Sequence, residues 1–503
     1  MIPIRIATIR RPVVLALATI TLAPASDARQ VVRDAIAAQG GETALRALSV
    51  VRIRGIEESF GIGYSPDVDH PRMGLYIFDE LRDVRTLRER RTFQVGAPSI
   101  NDMVAMRVVM SDSVGAWGRP DTVLGPAPAP YINLRRDELA LGPERLLLML
   151  LDAADLRAAG DTTIQGVPHQ VVSIHNGNLR VYLSTVTHLP TLMDVYGPIP
   201  DDAEWDVWGD VHSRTWLSSW SLEQGGIRYP RTWTTERAGH LFDKVSVFSI
   251  DPHPVAPADS FAISDGVRAK YVMHPPMVLG NGRGQPIEMA DGITWIPGRW
   301  ATMVVRQLTG IVVIDSPYGS EYSACVLDEV RRRYPDEAVR ALVVTDFMWA
   351  HLGGVREYVA HKVPVYANAR NESILRAVTS AKHAIHPDAL STIEQQLIFH
   401  PVAGVQQIGE GPNRIELIPV DVAGADYGRK IIVAYFPNRH ILWSSDLYSP
   451  GGEVNFAMQN ASELAALIAQ RGLAVDTIVG SHLRPTAWKT VESALSARVA
   501  AVQ

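Results

Sequence analysis

Cysteine is almost missing from these 503 residues. Cys325 stands alone, so no disulfide can form within the chain and no thiolate cluster can hold a metal. It sits inside a helical pattern and reads as an inert buried thiol, not a nucleophile. Basic runs are scarce as well: apart from Arg331-Arg-Arg333, the solvated end of a helix, Lys and Arg are scattered, and the formal net charge is −6. That leaves no electrostatic footprint for nucleic acid. After the first residues no apolar stretch approaches the length of a membrane helix. The glycines of Gly280-Asn-Gly-Arg-Gly284 lack the preceding strand and following Lys-Ser/Thr of a phosphate loop. No Gly-x-Ser-x-Gly elbow surrounds Ser444 and Ser445, which argues against a serine nucleophile.

A hydrophobic share of 47% against 20% charged residues is that of a globular chain with room for two or three cores. Met1 to Arg11 is basic, Pro12 to Ala23 is apolar, and Ala23-Pro-Ala25 and Ser26-Asp-Ala28 supply small residues. This layout predicts a cleavable secretory leader over residues 1–28 and a protein exported to the periplasm or secreted, with no membrane span once the leader is removed. Arg10-Arg11 leaves the twin-arginine route open beside the ordinary one.

Residues 29–250 then read as a β-rich unit. Val51-Arg-Ile-Arg-Gly-Ile, Val171-Val-Ser-Ile, Arg214-Thr-Trp-Leu-Ser-Ser-Trp and Val245-Ser-Val-Phe-Ser-Ile alternate or are β-branched between Gly, Pro, Asn and Asp turns, and predict one antiparallel sheet or half-barrel. Leucines clustered between Asp137 and Ala158 predict a helical insert. Pro and Gly in Asp251-Pro-His-Pro and Gly280-Asn-Gly-Arg-Gly284 mark residues 251–286 as a linker. From 287 to 503 strands alternate with helices, which makes the whole chain α+β.

Within that last unit, the apolar strand Ala341-Leu-Val-Val runs into Thr345-Asp-Phe-Met-Trp-Ala-His-Leu-Gly-Gly354. Later strands lead to Trp443-Ser-Ser-Asp446 and to Val479-Gly-Ser-His482. These motifs resemble the metallo-β-lactamase superfamily, in which a strand ends in Thr and continues as His-x-His-x-Asp-His-x-Gly-Gly. The resemblance implies an αββα sandwich over 287–503 and hydrolase ancestry. The Gly-Gly-x-x-x-Leu opening near Gly40 and the strands after Thr187 resemble, more weakly, periplasmic lipoprotein-carrier domains. That would give the β unit a concave face for a lipid or other small or apolar ligand, against the plainer reading of a platform that only packs on its neighbour.

Laid on the superfamily pattern, Asp346, Met348 and Ala350 stand where His, His and Asp would be, and Ala425 replaces a further His. The first metal site is thereby dismantled, since a thioether and a methyl do not replace imidazoles on Zn²⁺. For a second site the resemblance leaves His351, Asp446 in the place of the bridging Asp, and His482. Two imidazoles and one carboxylate can hold a single Zn²⁺, with Asp346 as an additional ligand or as the base that takes a proton from water. That is the alternative; the reading the residues favour is metal-free, a binding module or pseudoenzyme in which Ala350 neither ligates a metal nor orients water and Phe347, Met348 and Trp349 floor the old cleft as the substrate-binding residues. One zinc ion or no cofactor at all is therefore expected, and the substrate is not legible. His383 and His386 have ligand-like spacing but read as surface residues.

Overall fold

The computed structural model describes residues 27–61, 72–96, 104–273, 277–421, 430–448 and 458–502. Residues 1–26 of the predicted leader and residues 422–429, which include Ala425, lie outside them.

Thirteen strands, among the described residues, form one antiparallel sheet. Two hairpin meanders, Val50–Gly61 through Gly125–Pro126 and Arg157–Ile164 through His240–Asp251, join where the first and last strands pair, Arg52 opposite Asp251. Helix Ala28–Gln39, N-capped by the Asp27 side chain accepting from the Arg29 amide, presents Val31, Val32, Ala35 and Ile36 to this sheet. Helix Leu146–Asp152 adds Leu146, Leu147, Leu150 and Leu151 to the same core.

The predicted insert over Asp137–Ala158 is in fact two helices, Ala129–Ala140 and Leu146–Asp152, and Ala158 belongs to a strand. Pro128 and Pro130 set the start, because proline suits a first helical turn, and Pro143 prevents the two helices from fusing.

Phe78, Glu80 and Arg82 alternate onto one face of strand Arg72–Asp83, and there the core turns ionic. Glu80, Glu89, Arg82 and Arg135 are all less than a tenth exposed. The Arg135 guanidinium reaches Glu80 at 3.2 Å and donates from Nε to Glu89 at 3.1 Å. Arg82 bonds Glu80 and approaches Glu144 at 3.4 Å, and Tyr229 donates to Glu144 at 2.7 Å. One face of the sheet is thus covered here by helices and a charged network. Burial, and then the neighbouring Glu80, push Glu89 up from 4.5 to about 7 against the pull of Arg135. The folded state therefore binds more protons than the unfolded chain between these two values. Stability should fall as pH rises through that window. Glu89→Gln should flatten the fall, measurable by urea denaturation at a series of pH values.

The C-terminal half holds two more sheets. Strands Ile287–Ala290, Ile293–Ile296, Thr302–Gln307, Gly310–Ile314, Val339–Val344, Val365–Asn368 and Phe399–Val402 form the first, antiparallel at its start and parallel from Gly310–Ile314 onward. Gln406–Ile408, Ile415–Asp421, Lys430–Phe436, Ile441–Trp443, Thr477–Val479 and Thr486–Ala487 form the second.

Period-two side chains divide the burial. Ala341 and Val343 pack with Ile432, Ala434 and Phe436 of the other sheet, while Leu342 and Val344 pack with Tyr322, Val326 and Val330 of helix Ser320–Arg333. On the second sheet Ile431, Val433 and Tyr435 turn outward onto Leu464, Ile468 and Trp488. Strands buried on both faces explain why these stretches are continuously apolar. Cys325 lies half-buried on helix Ser320–Arg333, and burial pushes its thiol up, away from the thiolate.

Candidate metal centre

Two parallel strand pairs, Gly310–Ile314 with Val339–Val344 and Ile441–Trp443 with Thr477–Val479, deliver the polar side chains of this half. Asp315, Thr345 and Asp346, Ser444 to Asp446, and Ser481 and His482 all follow the carboxyl ends of these strands. That is the edge where open α/β sheets place their ligands. The two edges are tied together, since the Ile432 amide donates to the Thr345 carbonyl at 2.8 Å.

His351 occupies the middle. It is carried by the short helical turn Trp349–Leu352 and is wholly buried. Its Nδ1 lies 2.8 Å from Asp315 Oδ2 and its Nε2 lies 3.1 Å from Asp446 Oδ2. Asp446 Oδ1 in turn stands 3.6 Å from His482 Nε2. Asp346, also fully buried, accepts from the Phe347 amide at 2.6 Å, and its carboxylate joins His351 and Asp446 in a trio whose ligand atoms all lie within 4.8 Å of one another.

Burial alone would favour neutral His351. The carboxyl groups of Asp315 and Asp446 outweigh it and raise the imidazole well above its usual 6.5. Hydroxyls complete the surround. Thr345 donates to Asp315 at 2.8 Å from both its amide and its side chain, and Thr345 Oγ1 lies 2.7 Å from Ser445 Oγ.

Asp315 is the residue that sequence reasoning missed, although Ile311-Val-Val-Ile-Asp315 was visible as a strand running into a carboxylate. Of the residues that reasoning did single out, Asp346, His351 and Asp446 are brought together, and His482 borders them with a side chain 11% exposed. Phe347 packs into the core between the first sheet and its helices, and Met348 is buried beside it. Trp349 reaches the rim, where its ring meets Trp300 at 4.2 Å, and Trp300 stands 6.3 Å from His482. The loop bearing Trp300 is pinned there by the Ala301 amide, which donates to the Ser481 carbonyl at 2.8 Å.

One pair of this donor set has the spacing of two ligands on a single cation. A tetrahedral ion holds ligands about 2.0–2.1 Å away, which sets two of them roughly 3.3 Å apart; His351 and Asp446 stand 3.1 Å apart. The carboxylate on Nδ1 is the usual partner of a metal-bound histidine.

No family model matches the chain, and no curated protein does. Among solved structures, a stereoselective inverting sec-alkylsulfatase from Pseudomonas sp. is 16% identical over 42% of this chain, with a TM-score of 0.32. This chain spans only 40% of that protein's length. A metallo-β-lactamase from Pontibacter korlensis is 16% identical over 42% of this chain and 96% of its own, with a TM-score of 0.33. The DIM-1 metallo-β-lactamase is 12% identical over 44% of this chain and 96% of its own, with a TM-score of 0.33. Two of the three carry the name of the superfamily that Thr345–Gly354 resembles. Likeness this slight transfers neither activity nor site residues.

Proposed function

We propose that residues 287–503 are an αββα sandwich of metallo-β-lactamase type holding one divalent cation, and that the chain is an exported hydrolase working through it. The observation that carries this reading is the orientation of His351. A neutral imidazole whose Nδ1–H donates a hydrogen bond to Asp315 turns the Nε2 lone pair toward a carboxylate oxygen 3.1 Å away. Two electron-pair donors at that range need either a proton or a metal ion between them. Three buried carboxyl groups around one imidazole make a divalent ion the better of the two.

In this reading His351, Asp446 and Asp346 hold the ion and His482 completes the shell. Asp346 is then a ligand first and a base only second. A zinc ion so held supplies Lewis acidity and brings the pKa of its water to about 7. Asp315 fixes the tautomer and aim of His351, while Trp300 and Trp349 exclude solvent along one rim. The substrate stays open among the bonds such sites cleave.

A second reading has one observation in its favour. A doubly bonded His351 imidazolium would satisfy Asp315 and Asp446 without metal, leaving a binding module or pseudoenzyme. One experiment separates the two. Metal-stripped protein dialysed against equimolar Zn²⁺ at neutral pH is expected to retain about one zinc per chain by atomic emission. Retention of none would sink the enzyme and leave the metal-free module.

A further inference from the structure

Residues 199–210 connect strands Pro190–Gly197 and Val211–Leu222 of the thirteen-stranded sheet, yet they pack into the other half of the molecule. Trp205 is fully buried in the cluster that contains Tyr322, Phe347 and Leu352, the last two being neighbours in sequence of Asp346 and His351. Further along, the Asp210 amide donates to the Lys382 carbonyl at 2.7 Å. The Asp210 carboxylate accepts from the amides of Ala384 and Ile385 at 2.7 and 3.1 Å. Between them Gly209 has φ +69°, and a Cβ there would stand 2.1 Å from the Lys382 oxygen and 2.5 Å from the His383 ring. Only glycine admits this contact. The receiving segment is itself fixed, because the buried Arg356 guanidinium donates to the carbonyls of Val378 and Ala381 and to Asp388.

Asp206 abuts the loop that bears Asp315. A Cβ on Gly319 would lie 3.3 Å from Asp206 Oδ2. From Asp315 to Gly319 the backbone is left-handed at three positions, with φ of 62° at Asp315, 65° at Tyr318 and 100° at Gly319. Non-glycine residues stay in that region only where their surroundings hold them. One side of the hold is the candidate site itself, where the Ser316 amide donates to the His351 carbonyl at 2.8 Å and the Gly354 amide to the Ser316 carbonyl at 2.7 Å. On the other side stands Asp206, whose neighbour Trp205 is anchored in the core.

We propose that residues 199–210 are a positioning element of the candidate metal centre. By filling the core that Phe347 and Leu352 share and by standing against Gly319, they hold the strained Asp315–Gly319 loop so that Asp315 aims His351 at Asp346 and Asp446. The β-rich unit thereby acts on a site to which it contributes no ligand. The metal readout of this idea rests on the single-cation reading; its backbone readout does not.

The test uses the full chain carrying Gly209→Ala or Trp205→Ala, with Trp205→Phe as the conservative rescue. Zinc affinity is expected to fall about tenfold or more in the first two and to return toward the parent in the third, the size seen when support behind a ligand is lost. Amide exchange at Ser316 and Thr345 should accelerate about tenfold or more while strand Val339–Val344 stays protected. Parent-like zinc affinity together with unchanged exchange overturns the proposal. So does acceleration spread equally through Val339–Val344, which would mark mere destabilisation. If the parent chain itself holds no zinc, the functional reading fails and exchange alone decides: selective loss at Ser316 and Thr345 supports positioning, and its absence overturns it.

Discussion

Replacing Arg135 by alanine is expected to cost about 3–5 kcal/mol of folding stability, the range found when one partner of a buried ion pair is removed. Glu80 and Glu89 are 1% and 0% exposed and both lean on this guanidinium. Burial works against the charged form of each. Arg82 and then Arg135 draw Glu80 well below the carboxylate range, while Glu89, which feels Arg135 but also the charge of Glu80, is pushed up to about 7. One proton shared across the pair fits both directions. Without Arg135 the remaining Arg82 cannot serve both carboxyl groups, and a second proton must bind or a charge stay buried. Urea denaturation of Arg135→Ala against the parent measures the loss. A difference below about 1 kcal/mol would mean water reaches these groups and the interior is not as dry as its packing indicates. A concerted replacement of Arg135, Glu80 and Glu89 by apolar residues of similar size should be far milder than the single change, because no charge is then left alone.

That network explains what the sequence hid in the first half. Strands Arg72–Asp83 and Arg88–Gly96 were not among those expected from the sequence, and even a period of two says only that two faces differ. The charged face Glu80, Arg82, Glu89 and Arg91 looks like a solvent face by composition and lies inside, where Arg135 pairs with both glutamates from a helix some 46 residues beyond Glu89. No local pattern encodes such a partner. In the second half the strands buried on both faces announce themselves, because they are long β-branched runs.

The candidate site was legible to the same degree as its strand ends. Asp346, His351, Asp446 and His482 each stand directly after or near a strand, at positions that the family resemblance marks. Asp315 also ends a strand but matches nothing quoted in that resemblance, so its role came only from the 2.8 Å contact with His351. Trp205 was less legible still. It lies in an acid-rich stretch between Pro200 and Gly209 that resembles an exposed turn, and only tertiary packing turns its indole into core.

Asp446→Ala should abolish stoichiometric zinc uptake, lowering affinity by more than the ten- to hundredfold that loss of a supporting residue costs. Asp446 is the hinge of the site, since one oxygen faces His351 at 3.1 Å and the other His482 at 3.6 Å. His482→Ala should do less, because a water can take the place of a partly exposed ligand, whereas nothing refills the wholly buried position of Asp446. The two readings of the site also part company over stability. If a cation is the counter-charge, Asp446→Ala loses the stabilisation that saturating zinc gives the parent, and its melting temperature no longer responds to the ion. If a His351 imidazolium is the counter-charge instead, the parent is already indifferent to zinc, and Asp446→Ala lowers its melting temperature by leaving the imidazolium one carboxylate short. Melting curves of parent and variant, each with and without zinc, therefore give opposite patterns for the two readings, and they do so without a known substrate.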